Sequence, residues 1–167
     1  EPVAENWFLV ALGSRAGEYV RIDTSPHAVT AVVDYERVFE SSDGRTWEQV
    51  ATPDVWVAVA LRTEDGLLLT SDETMHLLPT GTEQWIECPL TRMPRLTAMD
   101  AFVSGERVFV VARDEDRLVY LLHSDDSCTW DGSPLRGLDG NDVSATFADI
   151  RRFGDRLAIV PRPFSDD

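Results

Sequence analysis

The sequence predicts an all-β fold made of repeated four-strand units. Three observations indicate this class: short apolar runs rich in β-branched and aromatic residues, turn residues between those runs, and a tryptophan near the end of successive units. The tryptophans are Trp47, Trp85 and Trp130, which lie 38 and 45 residues apart. No segment shows the sustained period of an amphipathic helix, so no helical layer is expected.

The first unit covers residues 7–50 and shows the pattern most clearly. Trp7–Leu12 is a continuous apolar run and a candidate inner strand, and Glu18–Asp23 alternates as a half-buried strand does. Further strands are expected at Val29–Val33, Arg37–Glu40 and Trp47–Val50. Asp43 and Gly44 lie between the last two and predict a tight hairpin turn, because glycine accepts the positive φ that such turns require.

Two further units and a partial unit follow. The second covers residues 55–90 and begins at Val55–Leu61, which is apolar on both faces like a strand inside a layered fold. The third covers residues 96–135, and residues 145–160 supply only two strands. The other strands are expected at Leu67–Ser71, Met75–Leu78, Trp85–Cys88, Thr97–Val103, Arg107–Ala112, Leu118–Leu122, Ala145–Arg151 and Arg156–Val160.

The segment from Ser41 to Trp47 carries the strongest local motif. It reads Ser-Ser-Asp-Gly-Arg-Thr-Trp and resembles the Asp-box, or BNR repeat, of β-propellers, in a form one residue shorter than the commonest one. The matching residues are Ser41, Asp43, Gly44, Thr46 and Trp47 in the first unit and Ser124, Asp126, Thr129 and Trp130 in the third, where the glycine is lost. The second unit holds only a degenerate echo of the motif, at residues 80–85.

A repeat of about 40 residues with about four short strands is typical of β-propellers. We therefore expect residues 1–167 to form a single partial β-propeller domain of about three and a half blades. The resemblance to the Asp-box families, with their sialidase-like and sortilin-like repeats, implies that the boxes lie on the outer rim and are structural. An open ring leaves sheet edges unpaired, so we expect association with a second copy or with another propeller half.

The composition narrows the choice of partners. The chain carries 30 acidic residues against 15 arginines, has no lysine, and has a formal net charge of −15. Nucleic acid and anionic membranes are therefore not expected partners. The absence of lysine excludes Schiff-base and lysine general-base chemistry. No apolar run approaches the ~20 residues that a membrane-spanning helix needs.

The two cysteines, Cys88 and Cys128, are expected to be buried thiols. Cys88 follows Trp85 by three residues and Cys128 precedes Trp130 by two, which places them on different blades and at different heights. Neither a disulfide nor a two-thiol metal site is favoured on that basis. No cofactor or metal is expected, since the three histidines lack metal-ligand spacing. The acidic turns do not follow the EF-hand pattern, and whether they bind calcium stays open.

The function expected from these features is a non-catalytic protein-interaction or scaffold module. The alternative is part of a glycan-binding or glycoside-hydrolysing propeller enzyme, because the Arg21–Asp23 segment partly matches the Arg-Ile-Pro motif of sialidases. Such an enzyme needs three arginines, an acid aspartate and a Tyr–Glu pair, and no such pair is recognisable, so no catalytic residue is assigned. The chain opens at Glu1 without a methionine, which favours a processed product that is secreted or periplasmic.

Overall fold

The computed structural model of the chain describes residues 19–71, 74–90, 93–153 and 156–162. In these ranges fourteen strands form three four-stranded sheets and one two-stranded sheet, and all pairs are antiparallel. The same ranges contain no helix, so the predicted all-β class is confirmed. None of the described segments therefore forms a helix that could cross a membrane.

Each sheet consists of consecutive strands joined by hairpins. Sheet 1 contains β1 (Val20–Thr24), β2 (Val29–Val33), β3 (Arg37–Ser41) and β4 (Glu48–Val50). Sheet 2 contains β5 (Val59–Arg62), β6 (Gly66–Thr70), β7 (Thr74–Pro79) and β8 (Ile86–Pro89). Sheet 3 contains β9 (Thr97–Ser104), β10 (Arg107–Arg113), β11 (Val119–Ser124) and β12 (Asp131–Pro134), and sheet 4 contains β13 (Phe147–Phe153) and β14 (Arg156–Arg162).

The predicted strands agree with these bounds to within a few residues, with one larger difference. Val55–Leu61 is predicted as one strand, but β5 begins only at Val59. Val57 donates its backbone N–H to the Tyr35 carbonyl (2.7 Å), which holds the preceding segment against the β2–β3 turn of sheet 1. The candidate strand at Trp7–Leu12 lies outside the described residues.

The four sheets pack on one another in chain order, and the first strands of successive sheets lie side by side, β1 by β5, β5 by β9 and β9 by β13. Apolar side chains fill each interface: Val32, Val38, Ala60, Leu67 and Leu69 between sheets 1 and 2; Leu68, Leu77, Val108, Val110 and Leu122 between sheets 2 and 3; Val111, Val119, Ala148 and Ile150 between sheets 3 and 4.

Sheet 2 is covered on both faces, which explains why its second strand does not alternate. Leu67, Leu68 and Leu69 point to opposite faces in turn, yet all three are at most 1% exposed. Each such burial contributes about 1.5–3 kcal/mol to stability. The continuous leucine run is therefore the sequence signature of a strand that lies between two neighbouring sheets.

A disulfide between Cys88 and Cys128 joins sheets 2 and 3, so the expectation of two free thiols is wrong. Their Cα atoms are 4.9 Å apart. The spacing from the tryptophans predicted different heights for the two cysteines, but the last strand of sheet 2 faces the turn before the last strand of sheet 3. Cys88 lies on that strand, β8, and Cys128 lies in that turn, between β11 and β12. The bond closes a 40-residue separation, which stabilises the fold by about 4 kcal/mol in the chain-entropy account.

Candidate functional site

The predicted Asp-box of sheet 1 is a closed hydrogen-bonded turn between β3 and β4. Asp43 Oδ1 accepts from the backbone N–H groups of Arg45 (2.7 Å) and Thr46 (2.8 Å). The Ser41 hydroxyl donates to the same oxygen (3.0 Å) and accepts from the Gly44 N–H (2.9 Å). The amides of Thr46 and Arg45 lower the pKa of Asp43 to about 2. The carboxylate therefore forms its hydrogen bonds within its own turn.

The predicted box of sheet 3 repeats this arrangement between β11 and β12. Asp126 Oδ1 accepts from the backbone N–H groups of Cys128 (2.9 Å) and Thr129 (2.5 Å), and from the Ser124 hydroxyl (3.0 Å). Its Oδ2 accepts from the Thr129 hydroxyl (2.7 Å). Desolvation raises the pKa of Asp126, but the bonds from Thr129, Cys128 and Ser124 outweigh it and bring the pKa to about 2.

Ser127 occupies the position that Gly44 holds in the first box. Both residues have positive φ, 58° at Ser127 and 70° at Gly44, so the turn shape is kept although the glycine is lost. A serine in this region is strained by about 1–2 kcal/mol. Its buried hydroxyl lies 3.0 Å from Thr63 Oγ1 and 2.9 Å from Asp65 Oδ2, in the β5–β6 turn of sheet 2. These contacts between sheets offset the strain.

Two of the three recurring tryptophans connect neighbouring sheets. Trp85 packs beside Val50 of sheet 1 and donates its indole N–H to the Ala51 carbonyl (2.9 Å). Trp130 is 5% exposed and belongs to the core between sheets 2 and 3, which also contains Cys88. Trp85 and Trp130 thus mark contacts between one sheet and the sheet before it, whereas Trp47 packs against the apolar cluster of its own sheet.

Charged side chains on the first strands form a second group, which we call the inner-strand network: Arg21, Asp23, Asp100 and Arg151. Arg21 donates from Nε to Asp23 Oδ2 (2.9 Å), from Nη1 to the Met99 carbonyl (2.7 Å), and from Nη2 to Asp23 and Asp100. Met99 is the extra residue of a bulge in β9, so its carbonyl is open to this donor. All three guanidinium nitrogens therefore donate to the protein's own acceptors.

Asp100 ties the inner-strand network to sheet 4. Its Oδ2 accepts from the Ile150 backbone N–H (2.7 Å) and from Arg151 Nη1 (3.4 Å). Burial raises the pKa of Asp23 despite its bonds to Arg21. Burial acts to lower the pKa of Arg21, but Asp23 and Asp100 together raise it. The network joins sheets 1, 3 and 4 and is closed on itself, and in the described ranges no three His, Cys, Asp or Glu side chains are placed to hold a metal ion.

Three stacked rings lie at the opposite end of sheet 1 from its Asp-box, and we call them the aromatic stack: Tyr19, Tyr35 and Trp56. The ring centroids of Tyr19 and Tyr35 are 4.3 Å apart and those of Tyr35 and Trp56 are 4.5 Å apart, with interplanar angles of 11° and 19°. Tyr19 is 42% exposed and Trp56 41%. Burial and the neighbouring Tyr35 raise the pKa of Tyr19. Two exposed rings thus flank the half-buried ring of Tyr35 on the surface.

The backbone holds the aromatic stack in place. Tyr35 is the second central residue of a type I′ turn, in which Asp34 has φ 51° and Tyr35 has φ 61°. Such turns favour Asn-Gly, and a bulky residue at this φ is a genuine outlier. Asp34 donates its N–H to the Tyr19 carbonyl (2.9 Å), and its side chain accepts from the Tyr19 N–H (3.0 Å). The fold therefore tolerates backbone strain where it presents the central ring.

Beside Trp56 lies a cleft of about 570 Å³, which we call the arginine cleft: Trp56, Arg95, Arg113 and Arg117, with Thr97, Asp114, Glu115 and Thr146. Three arginines face two acidic residues there, the reverse of the balance in the whole chain. Arg95 is 3.8 Å from Glu115. Among the described residues Arg113 forms no ion pair. The cleft is thus a locally basic site in a strongly acidic protein.

A larger cleft of about 890 Å³ lies between sheets 1 and 2 beside the first Asp-box. It contains the Glu40 carboxylate and the Arg62 guanidinium, which form a two-pronged ion pair. Because these charges neutralise each other, this cleft offers a charged ligand less uncompensated charge than the arginine cleft does.

Sequence reasoning missed the aromatic stack and the arginine cleft. Trp56 stands in an apolar run that is interpreted as strand, and Tyr35 has no glycine beside it to indicate a positive φ. The three arginines are 18 and 4 residues apart and share no motif. Only the folding of the loops around sheets 1 and 3 brings these side chains together.

Neither a protein-family model nor a curated protein matches the sequence. Among solved structures, the chain is similar to the computationally designed Ika8 protein, with 13% identity and a TM-score of 0.48, over 84% of this chain and 42% of that one. It therefore spans less than half of the Ika8 chain. The computationally designed Ika4 protein is 13% identical with a TM-score of 0.49, over 88% of this chain and 93% of that one. Likenesses at these values carry no argument about fold family or function.

Proposed function

We propose that the protein is a non-catalytic interaction module, a partial β-propeller that binds a protein partner at the end carrying the aromatic stack and the arginine cleft. This proposal is carried by one observation: the exposed rings of Tyr19 and Trp56 stack on the half-buried ring of Tyr35, and Trp56 lines a cleft with three arginines. Tyrosine, tryptophan and arginine are the residues enriched at the energetic centres of protein interfaces.

Pre-organisation of the aromatic stack supports the same proposal. The hydrogen bonds from Asp34 to Tyr19 and from Val57 to Tyr35 fix the three ring-bearing segments relative to one another before any partner arrives. Binding then immobilises fewer free side chains, which reduces the entropic cost of association. Strained positions such as Tyr35 concentrate at functional sites, where the surrounding structure holds them.

The Asp-box turns are proposed to be structural, which agrees with their bonds. The carboxylates of Asp43 and Asp126 accept from their own turns, and Ser127 and Trp130 contact the preceding sheet. These side chains stabilise turns and contacts between sheets. The carboxylates of Asp43 and Asp126 and the Ser127 hydroxyl are already hydrogen-bonded, and Trp130 contributes apolar packing.

The inner-strand network favours the non-catalytic function over a sialidase-like one. Arg21 is the residue that partly matches the sialidase motif, and all three of its nitrogens donate to Asp23, Met99 or Asp100. A substrate carboxylate would have to displace these buried acceptors, and breaking a buried ion pair costs about 3–5 kcal/mol.

The test of the binding end compares two variants of similarly exposed apolar residues. Trp56→Ala truncates the aromatic stack, and Ile86→Ala truncates a side chain on β8 that is 46% exposed and lies outside it. We expect partners that bind the purified module saturably to lose at least tenfold in affinity with Trp56→Ala, as for a truncated hot spot, and to be unaffected by Ile86→Ala. Equal binding by both variants would contradict the proposal.

The proposal includes a second propeller half, from another copy or a different chain. Sheets of four consecutive strands, stacked in chain order with first strands side by side, support the propeller. Among the described strands β14 pairs only with β13, which leaves an open edge. Static light scattering at micromolar concentration tests it. We expect a dimer or a larger complex, and a compact monomer that melts cooperatively would contradict this part of the proposal.

A further inference from the structure

We propose that Trp56 and the arginine cleft form a carboxylate-recognition site, in which a partner segment places one carboxylate among the arginines and an apolar or planar side chain on the indole ring. This inference rests on the proposed function and names the chemistry of the partner at the same site. Arg95, Arg113 and Arg117 converge from three elements: the loop before β9, the end of β10 and the β10–β11 turn.

The backbone fixes the turn that carries Arg117. Asp114 accepts the Leu118 backbone N–H (2.9 Å) through Oδ1 and the Tyr120 hydroxyl (3.3 Å) through Oδ2, so both of its oxygens are engaged within the turn. The Arg117 carbonyl accepts from the Ala145 N–H (3.1 Å), which ties the turn to the segment before β13. Asp114, one of the two acidic residues that line the cleft, thus holds the turn and its junction with β11, so the backbone position of Arg117 does not depend on a ligand.

The guanidinium groups are suited to bind a carboxylate, the anion that acidic side chains and chain ends of a protein partner present. Arginine presents a planar fork of donors that matches a carboxylate with two parallel hydrogen bonds. Arg113, which forms no ion pair within the described part of the chain, is the residue best placed to make such a pair. The indole ring of Trp56 lines the same cleft and offers apolar surface beside the charge.

The size of the cleft and the charge of the chain select one carboxylate rather than an acidic tract. About 570 Å³ holds one or two side chains. At physiological salt the positive potential of the arginines is screened beyond a Debye length of about 8 Å from the cleft. A polyanion extends further than that and meets the surface of a protein with net charge −15, which repels it. Binding is therefore expected to be specific for an isolated carboxylate.

Fluorescence anisotropy with labelled hexapeptides tests the inference. The first probe is Gly-Ser-Trp-Asp-Ser-Gly with both ends blocked, and the second has Asn in place of Asp. A third has the Asn sequence with a free C-terminus, which separates a terminal carboxylate from a side-chain one. We expect one of the two carboxylate peptides to bind about tenfold more tightly than the blocked Asn peptide, as for a charge-assisted pair. Hexa-aspartate should bind more weakly than the tighter-binding of the two carboxylate peptides.

Two matched variants locate the binding. Arg113→Gln removes a charge inside the cleft, and Arg136→Gln removes one from an exposed arginine outside it, 3.6 Å from Asp142. We expect the carboxylate preference to fall about tenfold with Arg113→Gln and to persist with Arg136→Gln. Thermal melts of both variants confirm that they fold.

Any of three results overturns the inference. The first is equal affinity for the blocked Asp peptide, the blocked Asn peptide and the free-end peptide. The second is an equal effect of the two variants, and the third is no saturable binding up to about 1 mM, which corresponds to about 4 kcal/mol. If partner binding still depends on Trp56 in any of these cases, the carboxylate site alone fails and the proposed function stands. If partner binding is also independent of Trp56, both fail.

Discussion

At the scale of single residues, carboxylates in this protein have two environments. Asp43 and Asp126 accept backbone N–H groups in exposed turns, and each has a pKa of about 2. Asp23 is buried, and burial raises its pKa although it pairs with Arg21. The balance of hydrogen bonding and desolvation, rather than residue type, sets the charge state that each group favours.

The low pKa of Asp43 predicts loss of stability in acid. A carboxylate whose folded pKa lies below its unfolded value of about 3.9 stabilises the fold above that value and stops doing so as the pH falls to about 2. We therefore expect the difference in free energy of unfolding between wild type and Asp43→Asn to shrink between about pH 4 and pH 2. Urea titrations across this range measure it.

The control is Asp116→Asn, which removes the same charge from another exposed acidic position. Its difference from wild type should change less over the same pH range. If the difference for Asp43→Asn stays constant from pH 4 to pH 2, the hydrogen bonds of the turn do not hold the carboxylate in its charged form.

At the scale of elements, the sequence indicates the strands well because local signals specify them. β2 is found at Val29–Val33 as predicted, since β-branched residues and flanking turn residues act over short distances. The start of β5 is predicted wrongly because a contact with Tyr35, distant in sequence, keeps Val57 out of the strand. Local patterns do not contain such contacts.

The candidate site was less predictable than the strands for the same reason. In sheet 1, Asp43 and Gly44 predict the turn between β3 and β4. In sheet 3, Ser127 replaces the glycine, and its contacts with sheet 2 stabilise the same turn shape. The aromatic stack depends on Tyr35 at a positive φ, and the bond between Cys88 and Cys128 depends on how two sheets face each other. These features arise from tertiary packing rather than from any short segment.

At the scale of the whole molecule, two kinds of contact hold the sheets together. The disulfide, Trp85 and Trp130 join neighbouring sheets at their outer strands, and the inner-strand network joins the first strands. A disulfide of this kind persists in oxidising compartments. The aromatic stack and the arginine cleft, which form the proposed binding end, share no residue with either set of contacts, although Tyr19 interacts electrostatically with Arg21 of the inner-strand network.

The most direct test of the account asks whether stability and binding separate between these two regions. Trp130→Ala should lower the free energy of unfolding by about 3–5 kcal/mol and leave partner binding per folded molecule unchanged. Tyr35→Gly should change that free energy by no more than about 1 kcal/mol, because relief of the positive φ offsets the lost ring stacking. It should also weaken partner binding by at least tenfold.

The measurement is the affinity of each folded variant for a saturably binding partner, taken below its melting temperature. We expect wild-type affinity for Trp130→Ala and at least a tenfold loss for Tyr35→Gly. Wild-type affinity for Tyr35→Gly, or lost affinity for folded Trp130→Ala, would contradict this expectation.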